Sequence, residues 1–216
     1  MEGKTLFHDG KSYDFQGRFE EVAVFDFEAK RVCLLDLLHR KKAIVTFEQI
    51  ETNAAKLQQW GSTHERQEIR NYIAPKFEVV LRPETREYLF ESTVLKYYVM
   101  SFKPESQDML EAYQAFADMS CKFNLLLAPG IRTMFGRMAV NSTLYKDGLL
   151  VEQLKVEVTF QRGLFAQKET FQSSLQYLPR LIEADFASIR QVDEYIAIFP
   201  EITLAEYKTV HNSDRK

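Results

Sequence analysis

Four histidines and two cysteines are the residues best able to build a reactive centre, and their spacing works against it. His8, His39, His64 and His211 are scattered along the chain. No two stand three or four positions apart, and none lies beside a cysteine. Zinc sites usually draw ligands from such close pairs, so a metal centre would have to be gathered from unrelated segments. We expect no metal and no cofactor. Cys33 falls in a strand-like run and Cys121 in a helical one. They form either one disulfide or two buried thiols, the simpler reading. Lys122 could lower the thiol pKa of Cys121, but neighbours on a helix diverge by about 100°. The chain has no Gly-x-Ser-x-Gly elbow, no Walker loop and no dinucleotide fingerprint. Gly130-Ile131-Arg132 is too short for a phosphate cradle. Glu20 and Glu21 are neighbours in an extended segment and point apart, which makes a poor acid–base pair. Glu183 and Asp185 suit the start of a helix. We expect no catalytic residue and no enzyme.

The aromatic residues carry more information. The chain holds 17 phenylalanines and 10 tyrosines, a composition suited to a β-rich core. Tyr97 and Tyr98 fall on opposite faces of one long strand, so both faces there carry large amphipathic rings. Either a helix covers the second face, or that face lines a cleft for an apolar ligand. On the cleft reading Tyr97 or Tyr98, with Phe160 and Tyr177, are the candidate ligand-binding residues.

The elements that would position them are short and alternate. Thr5–Phe7 and Ser12–Phe15 read as a hairpin around Asp9-Gly10. Gly17 ends its second strand. Strands at Glu21–Phe27, Arg31–Asp36 and Lys41–Val45 follow, with links too short for parallel crossovers. Thr46-Phe47-Glu48-Gln49 is a capping box that opens a helix reaching Trp60, with Gly61 placed to stop it. Ser62-Thr63-His64-Glu65 is a second capping box before a short helix ending near Pro75. Strands resume where Phe77, Val79 and Leu81 alternate, then at Tyr88–Phe90 and Val94–Phe102. Ser106 caps a helix with Asn124 as the polar exception on its apolar face, and Ala128-Pro129-Gly130 stops it. A further helix runs from Ile131 towards Leu144.

Leu154, Val156, Val158 and Phe160 then alternate with Lys155, Glu157 and Thr159, the clearest period-two signal in the chain. Gly163 turns the chain, and Phe171, Ser173, Leu175 and Tyr177 alternate on the return. Leu181–Phe199 is helical, and Thr203-Leu204-Ala205-Glu206 caps a last helix. These elements predict an α+β protein: a curved antiparallel sheet, an open half-barrel, with helices packed on its concave face. The expected organisation is one domain over residues 1–210 around a continuous sheet, followed by a polar tail at 211–216.

A net charge of −3 argues against broad electrostatic binding to nucleic acid. The basic run His39-Arg40-Lys41-Lys42 reads as a solvated hairpin turn. No stretch approaches the roughly 18 apolar residues needed to cross a bilayer. Met1-Glu2-Gly3-Lys4 leads directly into Thr5-Leu6-Phe7 with no apolar signal region. The protein is then either cytoplasmic or exported with its signal removed. A chain that begins inside a strand favours the second. Asn141-Ser142-Thr143 matches a glycosylation triplet but falls in a helical segment.

Four segments together resemble an uncharacterised bacterial family of planctomycete type. They are His8–Phe15, Val32–Asp36, Phe47–Trp60 and Asn124–Arg132 with its Pro129-Gly130. The order of elements is also similar to the half-barrel of the LolA-like lipoprotein carriers, although no LolA functional residue is matched. The resemblance implies a periplasmic or otherwise exported carrier with a lipid or lipoprotein acyl chain as its partner. The alternative is an interaction or structural module whose helices fill the sheet and leave no cavity.

Overall fold

The computed structural model describes residues 3–16, 20–127, 131–162 and 165–213. The punctuation expected at Gly17, Ala128-Pro129-Gly130 and Gly163 lies outside them, as does the side chain of His211. The α+β class and the antiparallel pairing expected from the sequence are both present. The strands are divided differently. Instead of one continuous sheet they form two open sheets of five, and the chain divides into two compact units.

The first unit comprises Met1–Glu51 and Leu178–Lys216. Its sheet is a meander of β1 (Lys4–His8), β2 (Lys11–Gln16), β3 (Glu21–Asp26), β4 (Arg31–Asp36) and β5 (Lys41–Thr46), paired in sequence order. Asp9 and Gly10 both have positive φ, 45° and 69°, as a two-residue type I′ loop requires. The next two hairpins share one turn chemistry. In each, an aspartate ending the strand accepts the backbone N–H three residues on: Ala29 to Asp26 and His39 to Asp36. In each, a basic residue of positive φ, Lys30 or Arg40, precedes the next strand.

Helix α5 (Glu183–Ile198) lays Ile189 and Val192 on Leu6, Tyr13, Phe15, Val22, Val24, Cys33 and Leu35. Register explains the shared face, since Val22 stands opposite Leu35 and Val24 opposite Cys33. The Asp185 carboxylate accepts the Ile182 N–H at 2.9 Å and pairs with Lys4. The Thr203 capping box forms, with Glu206 donating its N–H to the threonine Oγ1 and accepting the Thr203 N–H. It opens α6 (Leu204–Ser213), so the expected polar tail begins within a helix. Residues 200–202 run beside β5 in a parallel bridge between Lys42 and Glu201, which covers that edge of the sheet.

The second unit is Thr52–Tyr177, and the division falls inside α1 (Phe47–Ser62). The Thr46 capping box forms as expected, with reciprocal bonds between Thr46 and Gln49. Gly61 does not stop the helix. It lies within the last turn, where a Cβ would come 2.2 Å from Ile73 Cγ1, so the glycine admits the isoleucine. The second capping box does not form either. Helix α2 (Gln67–Ile73) starts after Arg66 with no side-chain cap, and His64 Nδ1 instead accepts the Arg66 N–H.

The second sheet runs β10 (Phe165–Ser174), β9 (Leu150–Arg162), β8 (Leu95–Phe102), β7 (Glu87–Glu91), β6 (Glu78–Arg82). Helix α3 (Gln107–Leu127), capped by Ser106, packs on α4 (Ile131–Lys146), and α4 lies on β8 and β9. Val140 and Leu144 of α4 meet Leu95, Tyr97, Val99, Val156 and Val158 in one buried cluster. The alternation of β9 therefore reads correctly. The expected alternations of Val79 with Leu81 and of Phe171 with Ser173 do not mark buried faces. Both outer strands, β6 and β10, are exposed throughout, because they extend beyond the part of the sheet that α4 covers.

Candidate functional site

The four aromatic residues proposed from the sequence all lie in the second unit, at separate places. Tyr97, in mid-strand on β8, is 0% exposed, and its hydroxyl donates to the Thr133 carbonyl at 2.7 Å. Burial pushes its phenol well above the ordinary range. Phe160 shares that face of the sheet at the far end of β9, with the Arg132 guanidinium 4.3 Å from its ring centre. Tyr177 lies beyond the end of β10, not within the returning strand. Its hydroxyl donates to the Val151 carbonyl at 2.9 Å, and its ring meets Phe102 and Tyr113. Tyr98 occupies the opposite face, away from α4.

On that opposite face lies an open depression of about 410 Å³. Of the four residues, Tyr98 alone lines it, together with Met100, Gln153, Lys155, Gln172 and Ser174. Strand alternation delivers these side chains: Lys155 stands opposite Tyr98 in the ladder, and Gln172 opposite Lys155. Two ammonium groups flank the tyrosine ring, Lys155 at 4.8 Å and Lys96 at 6.0 Å from its centre. Each lysine is also tied to a glutamate at 2.7 Å, Lys155 to Glu157 and Lys96 to Glu91. These bonds hold both lysines above their usual range and Glu157 below its own. The surface is thus an aromatic floor with fixed, alternating charge and amide groups at the rim. The chemistry such a surface offers is shape, hydrogen bonding and cation–π contact. It has no activated nucleophile.

Other polar groups serve the scaffold. Asp36, buried, accepts both the backbone N–H of His39 and a bond from its ring Nδ1 at 2.8 Å, closing the β4–β5 turn. Arg40 of that turn lies over Phe199, and Lys42, just inside β5, donates to the Ile196 carbonyl, so the basic run is held against the end of α5. Both cysteines are free and buried. Burial raises each thiol to about 11, which at Cys121 outweighs the effect of nearby positive charge. Asn141 is buried and its amide donates to Asp118 at 3.3 Å, which removes the triplet nitrogen from access in the folded chain. Beside them the Tyr145 hydroxyl is buried without a hydrogen-bond partner among the described residues. The sequence reading did not single out Asp118 or Tyr145, because each looks like an ordinary helix residue. Among the described residues no three His, Cys, Asp or Glu side chains gather closely enough to hold a metal ion. No helix among them is long and apolar enough to cross a membrane.

No protein family, curated protein or solved structure matches the chain.

Proposed function

We propose that this protein is a non-catalytic interaction module that recognises a protein partner through the uncovered face of its second sheet, around Tyr98. One observation carries the reading. The ring that would line an internal cleft, Tyr97, is packed under α4 with its hydroxyl bonded to the helix backbone, whereas Tyr98 faces an open depression. A carrier for acyl chains needs empty apolar volume between sheet and helix. The space at Tyr97 is taken by α4 itself, to the point that a methyl at Gly136 would come 2.7 Å from the Tyr97 hydroxyl. The rim groups at Tyr98 (Gln153, Lys155, Gln172 and Ser174) suit backbone and polar side chains of a polypeptide better than a hydrocarbon.

The test places a photo-crosslinking residue at Met100, which lines the depression and is exposed. In cells that express the protein, the expected result is one discrete crosslinked protein whose yield falls sharply in Tyr98→Ala. Native mass spectrometry after mild purification supplies the opposing outcome. A lipid retained at fixed stoichiometry, whose removal lowers the melting temperature, would replace this reading with the exported carrier.

A further inference from the structure

One edge of the first sheet is covered, and one edge of the second is open. In the first unit, Glu201 bridges to Lys42 and covers the outer edge of β5. In the second, β6 ends the sheet and every one of its five residues is exposed, with Val79 at 47%, Val80 at 53% and Leu81 at 44%. An open strand edge is a template for another strand, and monomeric proteins blunt it with bulges, proline, or charge placed to repel a second copy. β6 has an unbroken apolar centre and opposite charges at its two ends: Glu78-Val79-Val80-Leu81-Arg82.

That pattern is complementary to itself. Laid antiparallel on an identical strand with Val80 at the centre, Glu78 faces Arg82 of the second copy and Arg82 faces its Glu78. Val79 faces Leu81, and Val80 faces Val80. Opposite charges and apolar residues directly across a ladder both favour pairing. The same register also gives Glu78 a cation that its own ladder does not place opposite it. Within its own sheet Glu78 stands opposite Glu91, whose carboxylate is already bonded to Lys96, so Glu78 faces no cation across its own ladder, while Arg82 is bonded to Glu87 at 2.7 Å and still largely exposed. A second copy brings a guanidinium to the Glu78 end. Pro83 follows Arg82 directly and lacks the N–H to extend the ladder, which confines pairing to these five residues.

We propose that β6 pairs antiparallel with β6 of a second copy of this chain, joining two five-stranded sheets into one of ten through a twofold axis at Val80. A ladder of five residues spans only about 17 Å, so the dimer is weak and forms with rising concentration.

Sedimentation equilibrium of the full chain, from about 1 µM to about 1 mM, reads this directly. The expected result is a monomer–dimer equilibrium within that range. Glu78→Arg sets arginine against arginine at both ends of the ladder, and Arg82→Glu sets glutamate against glutamate. Each should weaken dimerisation by about tenfold or more. Combining the two swaps restores opposite charges in every pair and should return the constant to within about threefold of the original. Val80→Lys places like charges on the axis and should leave only monomer. All three positions changed here are exposed, and unchanged melting temperatures would show that the fold is intact. A chain that stays monomeric throughout the range overturns the proposal. So does a dimer indifferent to the single swaps, or one that the combined swap fails to rescue. The pairing is independent of what the Tyr98 depression binds: Val80→Lys should leave crosslinking from Met100 unchanged.

Discussion

The Tyr97 hydroxyl donates to the Thr133 carbonyl at 2.7 Å, fastening the middle of β8 to the first turn of α4. The next residue, Tyr98, has its ring on the other face between two lysines. One step along a strand thus separates a ring that holds the unit together from a ring on the open face. Tyr97→Ala should destabilise the protein by about 3–5 kcal/mol, because it removes a fully buried ring and its bond to the helix backbone. Tyr98→Ala should stay within about 1 kcal/mol. Urea titration separates the two, and equal midpoints would refute the face assignment.

The neighbouring strand gives a parallel test. Val158 is buried in the cluster under α4, whereas Glu157 stands on the open face paired with Lys155. Val158→Asp buries an unpaired carboxylate and should cost several kcal/mol, roughly 3 or more. Glu157→Ala loses one solvent-screened surface ion pair and should move the melting temperature little. Melting temperatures that fall together would show that the two residues do not face opposite ways.

Gly61→Ala should destabilise the protein although alanine is the better helix former by about 1 kcal/mol. The added methyl would meet Ile73 Cγ1 at 2.2 Å and Cδ1 at 2.9 Å. In an Ile73→Ala background those atoms are gone, and the same change should cost much less. Identical penalties in both backgrounds, measured by denaturant midpoint, would rule out the contact as the cause.

Two aspartates should respond to pH with opposite sign. Asp185 is held below its usual value of 3.8, first by the Ile182 N–H and then by Lys4. Its stabilisation is present above that value and is lost as pH falls through the still lower folded-state value. Asp118 is raised above the same reference, chiefly by burial, with Asn141, Lys122 and Arg137 opposing. Its ionisation therefore erodes stability as pH rises from 3.8 through the higher folded-state value. Asp185→Asn should lower the melting temperature at pH 7 and matter little at strongly acid pH. Asp118→Asn should be most favourable, relative to the parent chain, at pH 7. Matching pH profiles for the two variants would contradict these environments.

Both thiols, raised to about 11 by burial, should resist alkylation in the folded protein at neutral pH and react promptly once it is denatured. Rapid modification of Cys121 in the native state would mean that its helix face is open to solvent.

Much of the scaffold was legible because its signals are local. Asp9-Gly10 can serve a type I′ loop with no help from the rest of the chain, and the Thr46 and Thr203 boxes each close within four residues. The alternation at 154–160 sorts side chains between two faces for the same reason, since a strand's period belongs to its backbone. What alternation does not encode is which face is covered. Val79, Leu81 and Phe171 alternate in the same way as Val156 and Val158, yet α4 reaches only the second set. The division into two sheets, the packing of Tyr97 rather than Tyr98 under a helix, and the role of Gly61 as a space for Ile73 were all decided by tertiary contact. Sequence by itself determined the elements, their antiparallel order and the lack of recognisable catalytic motifs. Only the tertiary structure decided which aromatic rings became core and which remained at the surface, because burial depends on how far a distant helix extends over the sheet.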